Sequence, residues 1–198
     1  MSELSHPEDS ELNDLVNLTD ETGRTLGCYV EKYLELDSKT YLLLLPVDSP
    51  IEIFAWNEDD DDDDESAELT AIDEDDQIAI IFADASAVLS EQNLTLKRTA
   101  YILTASGDLP PLDPEKILQI DLEEGEEGEE LEPDEFQILC QFYNKEQEYI
   151  ICTPVDPRLY YSFFGRKNEL GVVEILSNQE SDEIAPYLEE FLSDEASD

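Results

Sequence analysis

The period of apolar and polar positions changes several times along this chain, and each change predicts an element. Apolar runs or alternations of strand length fall at 16–19, 26–34, 41–46 and 51–56, and again at 117–122, 136–143, 149–153 and 159–164. Two further short strands are expected at 68–72 and 172–176. Ile78, Ile81, Phe82, Ala85, Val88 and Leu89 instead recur at helical spacing, as do Ile184, Tyr187, Leu188, Phe191 and Leu192. Asp73 to Asp76 place acids where the positive end of the first helix dipole favours them, and Ser177-Asn-Gln-Glu180 has the form of a capping box before the second. Pro186 lacks a backbone donor, so the second helix should start within a turn of it or kink there.

The two sets of elements run in the same order. Tyr41-Leu-Leu-Leu-Leu-Pro-Val-Asp-Ser-Pro50 has a counterpart in Tyr149-Ile-Ile-Cys-Thr-Pro-Val-Asp-Pro157, one residue shorter before the second proline. Polar turns, Leu36-Asp-Ser-Lys39 and Asn144-Lys-Glu-Gln147, precede both runs. Duplication of one structural unit explains this order better than chance. The expected fold is α+β: two repeated units, each a mainly antiparallel strand meander followed by one amphipathic helix. Residues 1–14 form a flexible tail, 15–93 the first unit and 116–194 the second. The join, 94–115, offers a strand at 99–104 and a Pro-rich linker.

Charge adds the next constraint. Among 198 residues, 53 acids face 10 bases, for a formal net charge of −43. Binding to nucleic acid relies on Lys and Arg to neutralise phosphates, and residues 40–96 contain neither. Nucleic acid and anionic membranes are therefore excluded as expected partners, and a basic protein surface is favoured. The acids are concentrated. Glu58, Asp59, Asp60, Asp61, Asp62, Asp63, Asp64 and Glu65 form an unbroken run, where the second unit has the shorter Gly165-Arg-Lys-Asn168; residues 121–135 hold ten more acids and no base. With Trp56 just before it, the 58–65 run is the candidate partner-binding segment. Exposed aromatics among Tyr160, Tyr161, Phe163 and Phe164 would add specificity, although strand alternation buries about half of such side chains.

Candidate chemistry is sparse. His6 is the only histidine and lies in the polar tail, which removes most nucleophile–base arrangements. Cys28, Cys140 and Cys152 form no Cys-x-x-Cys pair and sit in apolar contexts, as buried reduced thiols do. Asp60, Asp62 and Asp64 match the first alternating ligands of a calcium loop, but Glu65 stands where glycine is required, and Ala71 at the closing position cannot supply a carboxylate. No catalytic, cofactor or metal residues are assigned, and a non-enzymatic binding protein is expected. The alternative is a regulator that takes a small molecule or divalent cation in a pocket between the two units. Residues 1–10 lack the pattern of a secretory signal, and no apolar run reaches the roughly 20 residues of a membrane span, so a cytoplasmic location is expected.

The order Cys28-Tyr-Val-Glu-Lys-Tyr-Leu-Glu-Leu36, the 41–50 run, Phe54-Ala-Trp56 and the acidic break resembles the small acidic YrzB-like bacterial domain. The tandem form resembles a family of unknown function found in cyanobacteria and plastids, over about 15–194, with the first unit the closer match. The resemblance implies a cytosolic or stromal protein supporting photosynthetic biogenesis or gene expression. It assigns no catalytic residues.

Overall fold

A computed structural model describes residues 14–57, 68–120, 133–157, 161–177, 179–184 and 186–187. Twelve strands are itself enough to show that the chain is mostly β: β1 (Leu15–Thr19), β2 (Thr25–Leu36), β3 (Lys39–Pro46), β4 (Ser49–Asn57), β5 (Glu68–Ala71), β6 (Thr95–Arg98), β7 (Leu103–Ser106), β8 (Ile117–Ile120), β9 (Asp134–Asn144), β10 (Gln147–Pro154), β11 (Phe163–Lys167) and β12 (Val173–Ile175). One long helix, α1 (Asp75–Ser90), follows β5. Residues 179–184 and 186–187 are also helical.

The expected α+β fold of two consecutive strand–helix units is wrong. The strands form two antiparallel sheets, and each sheet draws on both halves of the chain. One has the order β1-β2-β3-β11-β12; the other has the order β6-β7-β4-β10-β9-β8, with β5 also on β4. The compact units follow the sheets: the first comprises residues 1–47 and 162–198, the second residues 48–161. Local periodicity locates strands but does not say which edges pair, and here β3 and β4 are not neighbours. The expected strand at 99–104 is also revised. It is a hairpin, β6–β7, turning through Tyr101 at φ 67°.

In the first unit the sheet curls until β1 and β12 approach one another, which makes it nearly barrel-like. Leu18, Leu26, Cys28, Val30 and Leu44 are buried in it almost completely. Tyr41, Leu176 and Ile184 form a separate cluster, with Leu34, Leu36 and Phe164 against it. The capping box is formed: Ser177 N donates to Glu180 Oε2 (3.2 Å), and Glu180 N donates back to Ser177 Oγ (3.3 Å). The glycine at 165 is required by space. A Cβ there would lie 2.8 Å from Val173 Cγ1 and 3.1 Å from Leu44 Cδ1. Gly165→Ala should therefore lower stability by about 1–3 kcal/mol, measured by urea denaturation, as overpacking does; an unchanged midpoint would mean the strands simply move apart.

In the second unit the sheet is buried on both faces. Ile51, Ile53 and Ala55 of β4 pack with Ile78, Ile81, Ala85 and Leu89 of α1, as the helical spacing predicted. On the opposite face Phe54, Phe136, Ile150 and Cys152 form a second cluster, joined by Leu69 and Ala71 of β5 and by Leu118 and Ile120 of β8. Strands β5 and β8 lie at opposite ends of the order β8-β9-β10-β4-β5, so this cluster runs across the whole face of the sheet.

Candidate functional site

The two five-strand orders, β1-β2-β3-β11-β12 and β8-β9-β10-β4-β5, match place for place. They differ at two connections. β1 joins β2 through Asp20-Glu-Thr-Gly-Arg24, closed by Asp20 itself. Its Oδ1 accepts from Thr22 N and Arg24 N at 2.9 Å each, and its Oδ2 accepts from Arg24 Nε at 2.7 Å. The Thr22 hydroxyl (2.7 Å), the other bonds and Arg24 together outweigh desolvation and pull the Asp20 carboxyl down to about 2. Gly23, at φ 86°, supplies the left-handed residue this turn needs. β11 joins β12 through residues 168–172 in the same manner: Asn168 Oδ1 accepts from Leu170 N and Val172 N at 3.0 Å each. Polar side chains that bond their own following amides favour such turns.

In the second unit the corresponding connections are the acidic ones. β8 and β9 flank residues 121–133, and β4 and β5 flank residues 58–67. The expected counterpart of the 58–65 run, Gly165-Arg-Lys-Asn168, needs correction: Gly165, Arg166 and Lys167 are in β11, and the matching connection is 168–172. Likewise the strand expected at 159–164 lies at Phe163–Lys167, because the paired aromatics Tyr160-Tyr161 and Phe163-Phe164 carry no alternation to fix its start.

Of the candidate binding residues, Trp56 is half-buried near the end of β4 and packs on the Phe54–Phe136 cluster. Its carbonyl accepts from Gln147 Nε2 at 2.7 Å. Glu58, Asp59, Asp60, Asp61, Asp62, Asp63, Asp64 and Glu65 lie outside the described residues, as do His6 and Tyr160. Tyr161, Phe163 and Phe164 are half-buried, and Phe164 packs on the Tyr41 cluster.

One chemically active group escaped the reading of the sequence. Glu52 stands on β4 opposite Cys152 of β10, on the same face as Phe54, and its carboxylate accepts a hydrogen bond from the Tyr161 hydroxyl. Burial, and secondarily the charge of Asp73, push it up to about 7. The alternation at 51–56 predicts a half-buried strand and by itself gives Glu52 no role. The missed signal was Phe54 and Trp56 on the same face, which marks a strand buried on both sides. Burial also raises the thiols of Cys28 and Cys152 to about 12 and that of Cys140 to about 11, so they are poor nucleophiles at neutral pH. All three are free; Cys28 and Cys152 are buried and Cys140 is half-buried. Among the described residues no group of three or more His, Cys, Asp or Glu side chains could hold a metal ion, and no helix is long and apolar enough to cross a membrane.

These features can be set beside known families. The family described as "Protein of unknown function (DUF3727)" matches residues 93–195, just over half of the chain. The chain belongs to this family. A second, described as "Protein of unknown function (DUF1292)", matches residues 21–90, so two domains of unknown function stand in tandem along the DUF3727 protein. No curated protein and no solved structure matches it. The two matched segments meet at residues 90–93, inside the second compact unit, whereas the units change at 47–48 and 161–162.

Proposed function

We propose that this DUF3727 protein is a non-enzymatic binding or assembly protein that engages a basic protein surface through its acidic segments. The observation that supports this reading is where those segments attach. Both join strands of one sheet, at connections that the other sheet closes with five residues, Asp20–Arg24 and Asn168–Val172. A turn that five residues can close does not need a ten-residue acidic segment to hold its strands. The field of clustered like charges speeds encounter with positive surfaces by as much as 10–10³-fold on the order-of-magnitude scale of electrostatic steering. The bases are too few to offset them: Arg24, Lys97, Arg98 and Arg166 are already in ion pairs with Asp20, Asp48, Asp75 and Glu180.

On this reading Trp56, at the base of the first segment, contributes an apolar contact beside the charge. The resemblance to the YrzB-like domain extends the proposal to a cytosolic or stromal protein of cyanobacteria or plastids, serving photosynthetic biogenesis or gene expression. The test replaces residues 58–67 with Asn-Glu-Leu-Gly-Val, the sequence of 168–172. The grafted protein should keep its melting temperature, while crosslinked pull-down at moderate salt should lose a basic partner that the natural protein retains. Equal capture by both proteins would remove the proposal.

A further inference from the structure

We infer that the protein is one five-strand module formed twice with its strands exchanged, and that the stiff connection Pro46-Val47-Asp48-Ser49-Pro50 enforces the exchange. Each sheet takes its first three strands from one half of the chain and its last two from the other.

The correspondence extends to individual hydrogen bonds. In the first sheet Leu42 pairs with Gly165; in the second Ile150 pairs with Phe54. Leu42 and Ile150 hold the same place in the repeated 41–48 and 149–156 segments. β2 bulges at Glu31, opposite Leu43 and Leu44, and β9 bulges at Leu139, opposite Ile151 and Cys152. Bulges are specific features and not accidents of pairing. Val47 N donates to Gly27 O and Val155 N to Glu135 O, at 2.9 Å in both cases. After the last strands, Leu176 N donates to Phe164 O at 2.9 Å and Ile72 N to Ile53 O at 2.8 Å. Interior volumes are redistributed in step. Phe54 and Phe136, edge to face at 5.6 Å, stand where the first sheet has Gly165 and Cys28, while Cys152 stands where the first sheet has Leu44.

The physical cause lies in the turn chemistry. Two connections of two residues leave β3 in opposite directions along the chain. Between β2 and β3, Asp37 and Ser38 adopt φ 50° and 63°, the left-handed values a two-residue hairpin turn requires, and the chain reverses. Between β3 and β4 the residues are Val47 and Asp48, and neither has positive φ. A β-branched residue is a steric outlier there. Pro46 and Pro50 fix their own φ and hold Leu45 and Ser49 extended. β4 therefore cannot fold back on β3. It continues away and pairs with β10, which leaves the edge of β3 for β11. Short connections that cannot close are the usual origin of strand swapping.

Three versions of the full chain test this. In the first, Trp56→Cys with Glu148→Cys places two thiols on facing residues of β4 and β10. A disulfide should form within one chain on mild oxidation, with Cys28 and Cys152 buried and the half-buried Cys140 changed (Cys140→Ser) to remove competition. Consecutive modules would pair 148 with 163–167 instead, and failure of the disulfide to form in a folded monomer would overturn the exchange. The second carries a protease site within residues 107–113. Once cut, its halves should co-elute in buffer and part only in denaturant; separation in buffer would also overturn it. The third adds Gly-Asn-Gly-Ser between Val47 and Asp48 to the cleavable chain. Its cut halves should now separate, because β4 can fold back; halves that still co-elute would overturn the role of the connection while leaving the first two results to judge the exchange.

Discussion

Phe136→Ala should destabilise the second unit by about 3–5 kcal/mol, as large-to-small changes at enclosed aromatic positions do. Phe136 is 1% exposed and meets Phe54 edge to face, with ring centroids 5.6 Å apart and planes at 74°. The loss comprises the transfer of the ring from water, the edge-to-face contact, and a cavity that strands held by β-ladders on both sides cannot collapse to fill. Total stabilities of about 5–15 kcal/mol make this a large fraction. Tyr143→Ala on the same strand is the comparison. That side chain is 65% exposed, and its removal should leave the unfolding free energy from urea denaturation within about 0.5 kcal/mol of the natural protein's. Equal effects at the two positions would show that the Phe54–Phe136 cluster is not the core of this sheet.

Glu52→Gln should stabilise the protein at pH 8 by about 3 kcal/mol and change little at pH 4. The Glu52 carboxyl rises from 4.5 to about 7, through burial and the nearby charge of Asp73. A raised carboxyl pKa means that between pH 4.5 and 7 the folded protein holds a proton that the unfolded chain has released. Stability therefore falls as pH rises through that window, and is greatest below it. Glutamine keeps an oxygen to accept from Tyr161 but cannot ionise. The difference between the two proteins should open across the window and stay level above about pH 8. General relief of repulsion on acidification acts on both, so their difference isolates Glu52. A pH-independent difference would show that Glu52 ionises in a solvated setting.

Much of the local structure was legible from the residues. α1 buries Ile78, Ile81, Ala85 and Leu89, because an apolar stripe at helical spacing has one face to hide. The capping box at Ser177 and Glu180 is set by side chains within a few residues of the backbone they bond, and the polar turns at 37–38 and 144–147 by residues that adopt positive φ, Asp37, Ser38 and Lys145. Glu52 was not legible. Alternation reports which residues share a face, and only tertiary packing, with α1 on one side and the Phe54–Phe136 cluster on the other, decides that both faces of β4 are buried.

By itself the sequence determined most of the strands, the long helix and the place of the acidic segments along the chain. Each of these follows from side-chain period or turn chemistry, which act over a few residues. The tertiary structure alone decided which strands share a sheet. A strand offers the same row of backbone donors and acceptors to any partner, so pairing is settled by which edges the connections bring together. Here the connection at 46–50 carries β4 away from β3. That single step moves the 58–65 segment from the sheet of its own half to the one that also carries residues 121–133.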